Sequence, residues 1–156
     1  LCHALVKDTL FMSAGAIIFK TGKTRVDELE GIGKQMPVTM WCFTLASVGL
    51  VGIPPALGFV SKWYLAQGAL SAQAGVFRYL GPAVLLVSAL LTAGYLLPVT
   101  IDGFLPGKNW KKESEKLEAP PGMLFPLALL AVLTILLGLF PNPLASYIRD
   151  LAVTLL

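Results

Sequence analysis

Lys62 is the only Asp, Glu, Lys, Arg or His between residues 38 and 77, with 24 uncharged residues before it and 15 after. A lysine placed near the middle of an apolar segment costs about 2.5–3.5 kcal/mol on membrane-insertion scales. Either its amine snorkels to an interface, or it is kept for its proton, which a lysine held out of water exchanges far more readily than one in solution. The uncharged flanks favour the second reading, a titratable relay. His3 and Lys7 form a second candidate station. They stand four residues apart in an apolar run, so a helix puts both on one face. The competing reading is a packed polar pair. Asp8 points about 100° away from Lys7 and would pair with it locally or with a neighbouring helix.

Other reactive side chains carry less. Cys2 and Cys42 lie in apolar segments with no Cys or His at metal spacing and read as small buried residues. Tyr95 reads as packing, Asp102 as a solvated residue at a helix end, and the charged run 108–118 as an exposed loop. Trp41, Trp63, Tyr64, Tyr79 and Trp110 are candidates for interface anchors or helix packing. Gly-rich phosphate loops, Ser/His/Asp sets and metal clusters do not occur in the sequence, so the reading calls for no cofactor and no metal.

The elements that hold these residues follow from composition. Of 156 residues, 56% are hydrophobic and 13% charged, against roughly 25% charged in soluble domains. Residues 79–101 and 119–148 contain no Asp, Glu, Lys, Arg or His at all, and a helix crossing a membrane needs about 20 such residues. The chain is expected to be all-α, a polytopic membrane bundle. The net charge of +3 comes from loop lysines, which suit a membrane face better than nucleic acid. The sequence opens at Leu1 inside an apolar run without a basic leader, which reads as a start partway through a longer protein.

Apolar segments run over 1–19, 38–75, 80–101 and 123–140. Between the first two, residues 25–30 are expected to form a short surface helix that Gly31, Gly33 and Pro37 end. Ser13, Ala14, Gly15 and Ala16 suggest close helix packing. Stretch 38–75 is interrupted at Gly52-Ile53-Pro54-Pro55 and is either two short helices or one broken span. The positive-inside rule chooses. One broken span puts eight Lys/Arg of loops 20–37 and 102–122 on one side against two, Arg78 and Arg149, on the other; two crossings give six against four. The expectation is therefore four spans, the second broken near Gly52–Gly58, with loops 20–37 and 102–122 cytoplasmic and the C-terminus outside. Leu144, Ile148, Leu151 and Leu155 recur at helical spacing, which predicts a short interfacial helix over 142–156.

Three motifs in order resemble a known family. His3-Ala4-Leu5-Val6-Lys7 with Leu10-Phe11 is similar to its "HAxxKxxLF" helix. Gly52 to Lys62 is similar to its broken helix "G-x-P-x-x-x-G-F-x-x-K", and Gly138-Leu139-Phe140-Pro141-Asn142-Pro143-Leu144 to the end of its last helix. The family comprises the antiporter-like subunits of complex I, of Mrp sodium/proton antiporters and of membrane-bound hydrogenases. The resemblance implies that residues 1–156 are helices eleven to fourteen of such a subunit in a cell membrane, with other membrane subunits, the bilayer, and protons or sodium as partners. It implies that Lys62 is the terminal lysine of the C-terminal half-channel, exchanging with the outside, and that His3 and Lys7 belong to a central hydrophilic axis. Asp8 departs from the small or apolar residue expected there. The short linker 106–122 with Glu118-Ala119-Pro120-Pro121 looks more like the D-type subunit of Mrp antiporters than the complex I subunit with a long lateral helix. Proton or sodium translocation through the buried Lys/His chain is the expected function. The alternative is a structural module that bridges subunits of a redox-driven complex. Redox catalysis would belong to the complex, not to this chain.

Overall fold

A computed structural model describes residues 1–72, 75–107 and 116–155, with the side chains of 144, 149 and 152–155 outside the description. Trp110 and the lysines of 108–115 therefore lie outside the described residues. Helix α1 (Cys2–Thr21) ends at Gly22, whose φ of 69° closes the helix in a left-handed cap. A single 3-10 turn (Val26–Leu29) and a four-residue helix α2 (Ile32–Gln35) follow. Then come α3 (Pro37–Val51), α4 (Leu57–Ser71), α5 (Phe77–Phe104), α6 (Pro121–Leu139) and α7 (Asn142–Leu155). No strand occurs among the described residues.

Helices α1, α5 and α6 are each long and apolar enough to cross a membrane. The fourth crossing is divided. At 15 residues each, α3 and α4 are about 22 Å long, too short alone for a ~30 Å core. They lie end to end along α5, whose 28 residues extend about 42 Å. The start of α5 meets the end of α4, where Gly81 lies against Ala69. The end of α5 meets the start of α3, where the Phe104 and Trp41 rings tilt together at 5.1 Å and Gly103 sits under Met40. The two halves of the broken apolar segment are thus laid antiparallel on one continuous strut.

Pro37 has a different part from the expected one. It does not merely end the connector; it opens α3 at the first helical position, where its missing N–H costs nothing. Between Gly31 and Pro37 the chain makes the extra turn α2, in which Ile32, Gln35 and the following Met36 are all buried in the bundle. Ile32 and Met36 join Ala16, Ile17, Met40 and Ala119 in an apolar cluster that closes this end of the helices.

Linker residue Glu118 also departs from expectation. Instead of an exposed loop residue it is a cap. Its carboxylate accepts the backbone N–H of Val38 at 2.9 Å, the N–H of Thr39 at 3.2 Å and the Thr39 hydroxyl at 2.6 Å. The first turn of a helix has N–H groups without partners and a partial positive charge. Glu118 answers both from across the bundle, and Leu117 N–H adds a bond to the Gln35 carbonyl at 3.0 Å. In the small-residue patch of α1, Ser13 and Ala16 are fully buried while Gly15 faces open space.

Candidate functional site

The site is built where the second span breaks. Helix α3 terminates at Gly52, whose φ of 87° only glycine adopts freely. Residues 53–56 then carry the chain to α4, with the Pro54–Pro55 bond cis. A helix end leaves its last carbonyls without intrahelical partners. Val48 recovers two bonds, from the N–H groups of Gly52 at 3.0 Å and Ile53 at 3.1 Å. Leu50 and Val51 recover theirs from a side chain. The Lys62 amine, five residues into α4, donates to the Leu50 carbonyl at 3.0 Å and the Val51 carbonyl at 2.7 Å. A cation at a helix C-terminus is also favoured by the helix dipole.

Glycines make this approach possible. A Cβ added to Gly52 would come within 2.8 Å of the Lys62 Cδ and 3.3 Å of its Nζ. One on Gly58 would overlap the carbonyl of Gly49, so the two half-helices touch backbone to backbone at their junction. One on Gly138 of α6 would overlap the carbonyl of Pro55, so α6 presses directly on the linker. Val6 of α1 and Thr134 of α6 close over Gly49. The break is therefore walled by α1, α4 and α6 and held by glycine contacts from three directions.

Buried hydroxyls line α1, α3 and α6, and of these the sequence reading named only Ser13, as helix packing. Thr9, Ser13, Ser47 and Thr134 are all fully buried. Each donates its O–H to the carbonyl four residues earlier on its own helix, at 2.7–2.9 Å. This satisfies the donor and leaves the hydroxyl oxygen with a lone pair to offer.

His3 and Lys7 occupy another face of α1. The face toward α3 and α6 carries Val6, Thr9, Ser13, Ala16 and Ile17, all buried. His3 is exposed, Lys7 half-buried and Phe11 exposed, one turn after another along the helix. The Lys7 amine sits 5.6 Å over the Phe11 ring, a cation–π contact. Exposed Asp8 does not pair with it among the described residues. Neither His3 nor Lys7 bonds to Lys62, whose polar partners are the two α3 carbonyls. The structure thus brings Lys62 to the break and sets His3 and Lys7 together on a separate face. Tyr95 is largely exposed rather than packed inside. Trp63 stacks on Phe59 at 6.0 Å, and its other surfaces, like those of Tyr64 and Tyr79, are exposed.

Known proteins share this arrangement of sequence. The family profile described as "NADH:quinone oxidoreductase/Mrp antiporter, TM" matches residues 1–92. NADH-quinone oxidoreductase subunit N of Desulforudis audaxviator is 41% identical, over 98% of this chain and 32% of its own length. The D subunit of the Na(+)/H(+) antiporter of Bacillus subtilis is 33% identical over 97% of the chain and 30% of its own. F(420)H(2) dehydrogenase subunit N of Methanosarcina mazei is 33% identical over 99% and 32%. The chain spans about a third of the length of these relatives. With the family profile covering more than half its residues, and the broken second span in place, this chain belongs to the NADH:quinone oxidoreductase/Mrp antiporter transmembrane family, a group of membrane subunits related to complex I and to cation/proton antiporters.

Proposed function

We propose that this chain forms the part of an antiporter-like subunit that passes protons, or sodium in exchange for them, across the membrane, with Lys62 as the titrating group. One observation carries the reading: a lone lysine amine, inside an otherwise uncharged span, sits on the two carbonyls exposed by a helix break. An ammonium has three N–H donors, and a neutral amine keeps two N–H and gains a lone pair. Two donors on Leu50 and Val51 therefore serve both protonation states. The third position is the one that changes, from a donor to an acceptor, and the clamp directs it away from the carbonyls. Lys62 can thus gain or lose a proton without giving up its anchor. Broken helices serve ion sites in membrane transporters for the same reason, since their freed backbone groups must face protein or a wet cavity.

His3 and Lys7 form the second station in this reading, on the α1 face that α3 and α6 do not cover. Protons reach Lys62 from this axis and leave toward the outside. Residues 1–156 then correspond to helices eleven to fourteen of the complete subunit, with loops 20–37 and 102–122 cytoplasmic. Helix α7, which exposes Tyr147, Ile148 and Leu151, lies in the membrane interface on the opposite side. Its partners are other membrane subunits of a larger complex, and any electron transfer occurs elsewhere in that complex.

In the complete protein, Lys62→Ala should abolish or strongly reduce ion pumping, measured in inverted vesicles, while the complex still assembles. Wild-type pumping by that variant would instead leave the chain as a structural module between subunits.

A further inference from the structure

At the end of the bundle away from the break, a cavity of about 390 Å³ opens between α1, α3 and α5 beneath residues 23–29, a volume in the range of small-molecule sites. Its walls are apolar: Ile17, Phe43, Leu96 and Val99 face into it, and exposed Ile18 and Tyr95 form its lateral lip. Its one charged lining residue is Lys23, half-buried at the roof. From the end of α1 at Thr21 down to Ala14 the wall runs seven residues, roughly 10 Å of helix rise, with Lys23 just beyond it.

The charges about the mouth are unequal. Asp27 is tied to Arg25 at 3.0 Å, Glu28 accepts the N–H groups of Thr24 and Arg25, and the Glu30 carboxylate accepts the N–H of Gly107. Asp102 is exposed at the end of α5. Lys23 has no anionic partner among the described residues, and Lys20 stands exposed in the last turn of α1. An apolar channel open sideways, closed at the helix ends by an unpaired cation, has the polarity of one kind of molecule: a long apolar tail with a negative head. Basic pockets between membrane helices take such headgroups.

We propose that this cavity binds one anionic phospholipid, with its phosphate on Lys23 and an acyl chain along Ile17, Phe43 and Leu96. The site is separate from the break that holds Lys62. The test places a photo-crosslinking residue at Tyr95 of the complete protein, in nanodiscs of phosphatidylcholine with a minority of phosphatidylglycerol, and identifies the adduct by mass. Phosphatidylglycerol should be captured about fivefold above its share of the lipid, the ratio equivalent to roughly 1 kcal/mol from one lysine near an anionic headgroup. Lys23→Gln should return capture to that share, and Lys23→Arg should retain the enrichment. Should Lys23→Gln fail to incorporate, Val99→Trp, which fills the tail channel, should suppress lipid capture at Tyr95 altogether. Adducts with a protein segment, capture in bulk proportion by the wild type, or enrichment indifferent to Lys23→Gln or Val99→Trp would overturn the proposal.

Discussion

At the scale of single residues, the site depends as much on an absent side chain as on a present one. Lys62 reaches the Leu50 and Val51 carbonyls only because Gly52 leaves room and tolerates a φ of 87°. Gly52→Ala meets two penalties, a left-handed conformation that costs an alanine roughly 1–2 kcal/mol and a methyl group pressed on the lysine stem. The prediction is a pumping rate at least tenfold lower in a complex that still assembles, measured in the same vesicles as Lys62→Ala. Unchanged pumping would separate Lys62 function from its seat on α3. Lys62 itself was legible from sequence, because a charge between long neutral flanks must be explained. Its partners were not. Backbone carbonyls carry no letter in the sequence, and only the fold says which of them a break sets free.

Elements show a similar division. The glycines and prolines at 52–58 announced a break, and the structure lays its two halves end to end along α5. What holds the halves together was hidden, since it depends on contacts between distant positions. Gly58 on Gly49 and Gly138 on Pro55 are backbone-to-backbone approaches, and isolated glycines in apolar helices do not reveal which neighbour they admit. Gly58→Ala should push α3 and α4 apart and lower the thermal midpoint of the detergent-solubilised protein by more than any cavity-neutral surface change. Overpacking of this kind typically costs about 1–3 kcal/mol. Glu118 was misread from its neighbours, because it ends a charged run that looked uniformly solvated. Glu118→Ala removes a charged cap and three hydrogen bonds. Caps of this kind contribute about 0.5–2 kcal/mol, so the variant should melt earlier, while Glu118→Gln, which keeps an acceptor, should fall between.

For the molecule as a whole, the proposed orientation in the membrane is directly testable. With Cys2 and Cys42 replaced, single cysteines at Thr24 and Gly107 should react with a membrane-impermeant maleimide from the same side, and one at Ala72 from the other. Labelling of all three from one side would mean that the halves of the second span return instead of crossing. The same architecture has a consequence in time. Both clamps on the broken span come from later in the chain: Glu118 is 80 residues beyond Val38, and Gly138 lies beyond Pro55 by a similar stretch. At synthesis rates of about 5–20 residues per second, that gap is roughly 4–16 s. During this interval the segment bearing Lys62 leaves the ribosome with its first turn uncapped and its linker unsupported. Its final seating is therefore a late event of biogenesis, and a nascent chain stalled before α6 exposes an unsupported Lys62 and its open linker to whatever insertion machinery holds it.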